Sequence, residues 1–562
     1  MSDKPEDTDW PLRPWLLGGL LAVAGLLVHI AGEGGEAQTI PWRMALAALF
    51  VFGPLAAAFT LERGRYVEPA IFAGIVGLVM AGIAGRATSA GDHYPDAQFW
   101  VGAGCISIAL ALPLFQSGFH RRRFAIPYTE AHGHAWNDAL SGVGALAFTG
   151  VSWLVLVILN ALFRLVGIEL IDNVMDESWF AWMFSGAAFG AALGTLRNQL
   201  KILGTLQSVV MLVLSLLAVP LALALLVFLV ALIVTGGQAL WNATDSATPI
   251  LLACAIGAFG LGNATLRDSD GEMTGNRVLR IAALVLCLSI LPLTVFAAIS
   301  MGARINQHGL SPERLWGLVA VAVACAFGLA YLVAVIRGRK AGWRDRVRQA
   351  NLHLAAAVCV VAFVLALPIF DFGAISTRNQ LARLESGEVT PETFDYAALR
   401  WDFGDAGREA LKGLTRNSNP KVAELAQTTL AQQQRYYRAE PVNRTRAEFD
   451  VEVQPDEPAL RKLVLDHLVA NPYLCEQRCV AIDLGARGRN LREFALVSGS
   501  GYIRIVLPLE SPEVAQPART EPPKLGPDSK VEVRTIERRH IFIDGRPIDP
   551  PLDELEGAPP PR

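Results

Sequence analysis

Charge is scarce in this chain. Only 18% of its 562 residues are Asp, Glu, Lys or Arg, against roughly a quarter in a soluble globular domain. The formal net charge of -3 leaves no large surplus of either sign, which excludes a nucleic-acid binder built on a basic face. Seven cysteines in a chain of this length are too few for a disulfide-scaffolded miniprotein. Disorder is excluded by a hydrophobic content of 52%, because such a chain has ample apolar surface to bury. Local catalytic signatures are missing too: there is no G-x-S-x-G, Walker loop, H-E-x-x-H or kinase set. No cofactor and no catalytic residue is therefore expected, although catalytic groups assembled from distant segments would leave no local trace.

What is present is unevenly distributed. Residues 1–370 hold 23 basic and 22 acidic side chains, and residues 371–562 hold 26 and 30. The first part is thus about half as charged as a soluble domain and the second part is ordinary. A membrane-spanning helix needs about 20 mostly apolar residues, because ~30 Å of hydrocarbon is crossed at a 1.5 Å rise per residue. Eleven stretches qualify: Trp15 to Ala31, Trp42 to Thr60, Pro69 to Gly85, Phe99 to Gln116, Asp138 to Leu165, Trp179 to Leu196, Leu203 to Val234, Thr248 to Leu266, Ile281 to Met301, Leu315 to Ile336 and Asn351 to Phe370. The seventh reads as one helix kinked at Pro220; two short helices there would change the parity. Several Trp residues fall at span ends, where an amphipathic ring prefers the headgroup level.

The loops on the N-terminal side carry 18 Lys and Arg and the opposite loops carry 5. By the positive-inside rule the N-terminus is expected in the cytoplasm. Eleven crossings then put the domain after Phe370 in the periplasm. The first span is not expected to be a cleaved signal peptide, because its flank is net acidic and ten more spans follow. The expected fold is an all-α polytopic transmembrane helix bundle of about 11 spans followed by a soluble α+β periplasmic domain. Its parts are a cytoplasmic tail (1–14), the bundle (15–370), a mainly helical region (371–470), a small β-rich region (471–550) and a disordered tail (551–562).

Candidate sites are few. Cys475 and Cys479 form C-E-Q-R-C in the domain after the spans, and a local disulfide is the favoured reading in an oxidising compartment. Metal binding or redox activity are the alternatives, and neither has the usual ligand set or C-x-x-C spacing. Between the fourth and fifth spans lies a polar loop with Arg121, Arg122, Arg123, Glu130, His132, His134 and Asp138. If the residues after Pro127 are helical, Glu130, His134 and Asp138 share a face, and with His132 they are candidate ligands for a divalent metal. The simpler reading is an interfacial helix whose arginine triplet contacts lipid phosphates. Arg304 and Arg314 place positive charge on the side that normally avoids it; lipid or anion contact and a salt bridge to the outer domain are the alternatives, the latter favoured. In the outer domain, Asp483 to Arg489 has Gly485 and Arg487 where a calcium loop needs oxygen ligands, so calcium is rejected.

The sixth span carries Gly186, Gly190 and Gly194, a bare stripe that suits close helix packing. Ala188-Phe189-Gly190 is echoed by Ala258-Phe259-Gly260, as a parallel repeat or by chance. Asn160, Gln207 and Asn263 are neutral polar residues in spans, for which interhelical hydrogen bonding is the simplest role. Ser311-Pro312-Glu313 reads as a helix start, with Ser capping, Pro in the first turn and Glu at the positive end of the dipole.

Three segments carry a resemblance. Arg123-Phe-Ala-Ile-Pro-Tyr-Thr-Glu-Ala-His-Gly-His-Ala-Trp-Asn-Asp-Ala-Leu140, Arg304 to Arg314 (R-I-x-x-x-G-L-[ST]-x-x-R) and Phe394-Asp395-Tyr396 with Gly404 together resemble the bacterial multi-pass inner-membrane domain-of-unknown-function family numbered 4153. The resemblance implies a polytopic inner-membrane protein and brings no assigned activity. Three functions stay open. A non-enzymatic envelope anchor or sensor presenting a periplasmic interaction domain comes first, with the lipid bilayer and a periplasmic protein as partners. The others are a transporter or flippase for a small or lipid-like substrate, and a membrane enzyme with a metal site at the cytoplasmic interface.

Overall fold

The computed structural model describes residues 10–34, 39–235, 247–271, 273, 275–432, 449–471, 474–475, 478–486, 491–498, 501–508, 541–543 and 546–548. The expected disordered tail (551–562) lies outside the described residues. The chain divides into two compact units, Met1–Gln433 and Gln434–Arg562.

Among the described residues of the first unit, eleven helices are long and apolar enough to cross a membrane. In order, helices α1 to α4 are Arg13–Gly32, Pro41–Thr60, Val67–Ala90 and Ala97–Gln116. A single turn, α5 (Phe119–Arg122), leads to α6 (Tyr128–Leu165), followed by the short α7 (Leu170–Met175) and by α8 (Ser178–Asn198) and α9 (Leu200–Val234). Next come α10 (Thr248–Leu266), α11 (Arg277–His308) and α12 (Pro312–Ala366). The α9 helix runs unbroken through Pro220, so Leu203 to Val234 is one span. The α12 element is two spans in a row, α12a (Pro312–Arg339) and α12b (Gly342–Ala366), broken where Arg339 takes a left-handed φ of 49°. Ser311 caps it, the Arg314 amide donating to Ser311 Oγ (3.3 Å), with Pro312 in the first turn.

The α6 helix starts at Tyr128, ten residues before the expected fifth span, because Pro127 ends the preceding extended segment and nothing after it interrupts a helix. The polar segment Tyr128–Asp138 is therefore the first three turns of a spanning helix.

In lipid, helices associate through close packing of small residues more than through the hydrophobic effect. The stripe on α8 is used in this way. A Cβ at Gly186, Gly190 or Gly194 would collide with the α1 backbone at Leu21, Leu17 or Pro14. Four further helices follow the spans: α13 (Phe372–Glu385), α14 (Tyr396–Trp401), α15 (Gly404–Leu414) and α16 (Pro420–Ala431). They share a core of Phe394, Tyr396, Leu399, Phe403, Leu411 and Val422.

The second unit contains a four-stranded sheet in the order β1 (Val451–Gln454), β2 (Cys479–Ala486), β3 (Leu491–Ser498) and β4 (Gly501–Pro508). β1 and β2 are parallel and joined through α17 (Pro458–Ala470), whereas β2, β3 and β4 are antiparallel neighbours. Val464 and Leu468 of α17 pack with Val453, Phe494 and Leu496 of one sheet face. Strand β1 went unread in the sequence: four residues with two inward valines carry little periodic signal, and their partner lies a helix away. A separate hairpin pairs β5 (Ile541–Ile543) with β6 (Arg546–Ile548).

Candidate functional site

A densely bonded polar region of the first unit is a seam where α13 and α15 sit on two interhelical connections. The first loop, 91–96, joins α3 to α4. The α15 N-terminus lies on it: the Asp405 amide donates to His93 O (2.8 Å), His93 Nδ1 pairs with Asp405 Oδ2 (2.7 Å), and Arg408 donates to Asp92 O (2.6 Å). Arg408 also pairs with Asp405 (2.7 Å). Hydrogen bonds from Arg408 and His93 hold the Asp405 carboxyl below its ordinary pKa. Gly404 has φ +65°, and a Cβ there would meet the His93 carbonyl; only glycine fits that geometry cheaply.

The second contact is made by the last turn of α11 and the short loop 309–311 that leads to α12. On α13, Arg383 donates to the carbonyls of Asn306 and Gln307 (3.1 and 2.9 Å), and Gln380 to those of His308 and Leu310 (2.8 and 3.0 Å). The Leu310 amide donates to Asn379 Oδ1 (2.8 Å). Gly309, at φ +73°, is the point of closest approach to these side chains. Arg314 turns back to its own loop, donating to the carbonyls of His308 and Gly309 (3.3 and 2.8 Å). The helices after the spans are thus held to this segment by hydrogen bonds from Arg383 and Gln380 to carbonyls at and beyond a helix end, which have no helical partners.

Between the two loops the seam is acidic. Asp371 caps α13, accepting from the Ala374 amide (2.9 Å). Asp96 opens α4 with a left-handed φ of 58°. Partial burial, with Glu313 and Asp402 nearby, raises its carboxyl to about 6. The Arg86 guanidinium stacks 3.5 Å over the Trp100 ring, a cation–π contact. Trp316 stacks on Phe99 and meets Phe372 edge-on, joining α12a, α4 and α13.

Below Trp316 an apolar cavity of about 630 Å³ lies among α4, α10, α11 and both halves of α12. Phe99, Ile106, Phe259 and Phe327 line it, and Glu313 at the seam end is its one ionisable lining residue. That size is within the range of ligand pockets, ~300–1,000 Å³. Deeper in the bundle, Asn263, Tyr331 and Asn351 form a closed triangle, with Asn263 Nδ2 to Tyr331 Oη 2.7 Å, Tyr331 Oη to Asn351 Oδ1 2.6 Å and Asn351 Nδ2 to Asn263 Oδ1 2.6 Å. Only Asn263 stood out in the sequence. Tyr331 is fully buried, and its signal was a lone phenol in mid-span.

The four metal-ligand candidates share α6 but do not converge on one point. Glu130 pairs with Arg122 (2.6 Å), and Asp138 accepts from Gln116 Nε2 (3.2 Å). His132 lies against the Tyr128 and Trp136 rings. It is separated from His134 by about 200° of helical turn. Among the described residues no group of three His, Cys, Asp or Glu is arranged to hold a metal ion. Arg121 pairs with Glu68. In the second unit, Cys475 and Cys479 are joined as a disulfide. The Asp483 carboxylate is occupied by Arg492 (2.6 Å), which holds it below its ordinary pKa.

The family model described as Domain of unknown function (DUF4153) matches residues 16–414, which takes in the bundle and the seam helices through α15. The chain belongs to that family. Comparison with curated proteins gave no match, and comparison with solved structures gave none.

Proposed function

We propose that this DUF4153 member is a non-enzymatic protein of the bacterial inner membrane, with its N-terminus in the cytoplasm. Its bundle carries α13–α16 as a fixed platform on the periplasmic face, and the residues that follow form an interaction domain for a periplasmic protein. The observation that supports this most is the seam. Two connections, one in each of the α3–α4 and α11–α12 hairpins, are clamped by side chains of α13 and α15, so a load or ligand on the platform is transmitted to α3, α4, α11 and α12. Two of the three segments that carry the family resemblance, Arg304 to Arg314 and Phe394 to Gly404, supply seam contacts or the turns beside them. The orientation rests on the loop arginines, and the disulfide suits an oxidising compartment.

Complementation of a deletion strain tests the reading. A chain ending at Gln433 keeps the seam and loses the second unit; it is expected to reach the membrane at normal abundance and fail to complement. Full complementation by residues 1–370 overturns the proposal. A second reading, transport of a lipid-like substrate, is favoured by the apolar cavity capped by Glu313. Labelled lipids offered to reconstituted vesicles would cross faster than in empty vesicles if it holds, and no flux over a broad panel removes it.

A further inference from the structure

On the face opposite the seam, a second apolar groove of about 650 Å³ runs between the end of α4 and the start of α12b. Leu114, Phe115, Ala357 and Val360 line it. Its polar end is built from two stacked pairs: His120 on Phe115 and His353 on Phe124, each with ring centroids 4.9 Å apart. His353 Nδ1 donates to Gln349 O (2.7 Å), which leaves Nε2 for a ligand. His120 Nε2 lies 3.8 Å from Glu68. The same rim carries Arg121, paired with Glu68, and Arg122, paired with Glu130. The guanidinium of Arg123, next to Phe124, has no hydrogen-bond or ion-pair partner among the described residues. Of these, His120 and His353 line the groove itself, and the three arginines that follow His120 in sequence outnumber the two carboxylates, Glu68 and Glu130, that pair with this segment.

An apolar trough ending in a cationic rim at the level of the headgroups matches one class of molecule. We propose that this groove binds an anionic glycerophospholipid, with an acyl chain along α4 and α12b and the phosphodiester at the His120–His353 rim beside Arg123. A phosphate there accepts charge-assisted hydrogen bonds and offsets the surplus of positive charge. A zwitterionic headgroup brings its own cation and gains less. This site is separate from the seam and stands whether or not the platform proposal does.

Native mass spectrometry of the full chain, released from nanodiscs of equal phosphatidylglycerol and phosphatidylcholine, tests it. Wild-type protein is expected to retain phosphatidylglycerol with roughly fivefold preference, the scale of one extra phosphate–cation contact near a membrane surface. R123Q combined with H120Q and H353Q should bring that preference close to parity. A357F, which fills the groove from an exposed position, should lower the amount of lipid retained. K412Q on α15 should change neither. Equal retention of both lipids by wild type overturns the proposal, and so does unchanged preference in the triple variant with an unchanged thermal transition.

Discussion

Asp96 shows how a single residue tunes the seam. Its carboxyl is raised to about 6 by burial, with Glu313 and Asp402 adding to the shift, whereas an unfolded Asp titrates near ~3.9. Between those values the folded state binds a proton that the unfolded state does not, so stability falls as pH rises through that window. Above about pH 6 the ionised Asp96 opposes the fold in full. D96N removes the charge, and Asn tolerates the left-handed backbone. It should raise the thermal midpoint at pH 7.5, and the difference should vanish near pH 4; an equal difference at both pH values would refute the assignment. Gly404 is constrained by geometry instead of charge. G404A adds strain at φ +65° and a clash with the His93 carbonyl, costing about 1–3 kcal/mol. Hydrogen exchange should quicken in α13–α15 while α11 stays protected.

At the scale of elements, identical words in the sequence have different meanings in the fold. Ala188-Phe189-Gly190 and Ala258-Phe259-Gly260 look like copies. Gly190 on α8 meets the backbone of α1, however, whereas Gly260 on α10 has no other atom within 4 Å of a Cβ position. G190A should therefore lower the thermal midpoint of the purified protein by several degrees, as overpacking of a close contact does, and G260A should leave it unchanged. A similar loss in both would mean that the echo is a structural repeat after all. The span ends were legible because hydropathy and caps are local properties: Ser311-Pro312-Glu313 starts α12 as its chemistry dictates. The early start of α6 was not, because a polar helical turn and a polar loop have much the same composition, and only the absence of a breaker after Pro127 distinguishes them.

At the scale of the whole molecule, two compact units have separate cores. The disulfide lies in the second, where Cys475 and Cys479 are buried against the α17 side of the sheet. Closing so short a loop stabilises by about 2 kcal/mol on the chain-entropy account. C475S/C479S should shift the unfolding of the second unit and leave that of the bundle in place, which calorimetry or limited proteolysis would resolve; a joint shift would mean that the units unfold as one. The sequence by itself determined how many stretches are long and apolar enough to cross a membrane, where their apolar cores lie, and which loops hold the arginines, because each of these follows from the local cost of placing polar groups in hydrocarbon. Which helix lies against which was decided only by the tertiary structure. The spans are apolar on most of their surface, so hydropathy names no partner, and shape decides: α1 on the α8 glycines, α13 and α15 on two distant connections, and the cavities left where α4 and α12 do not close.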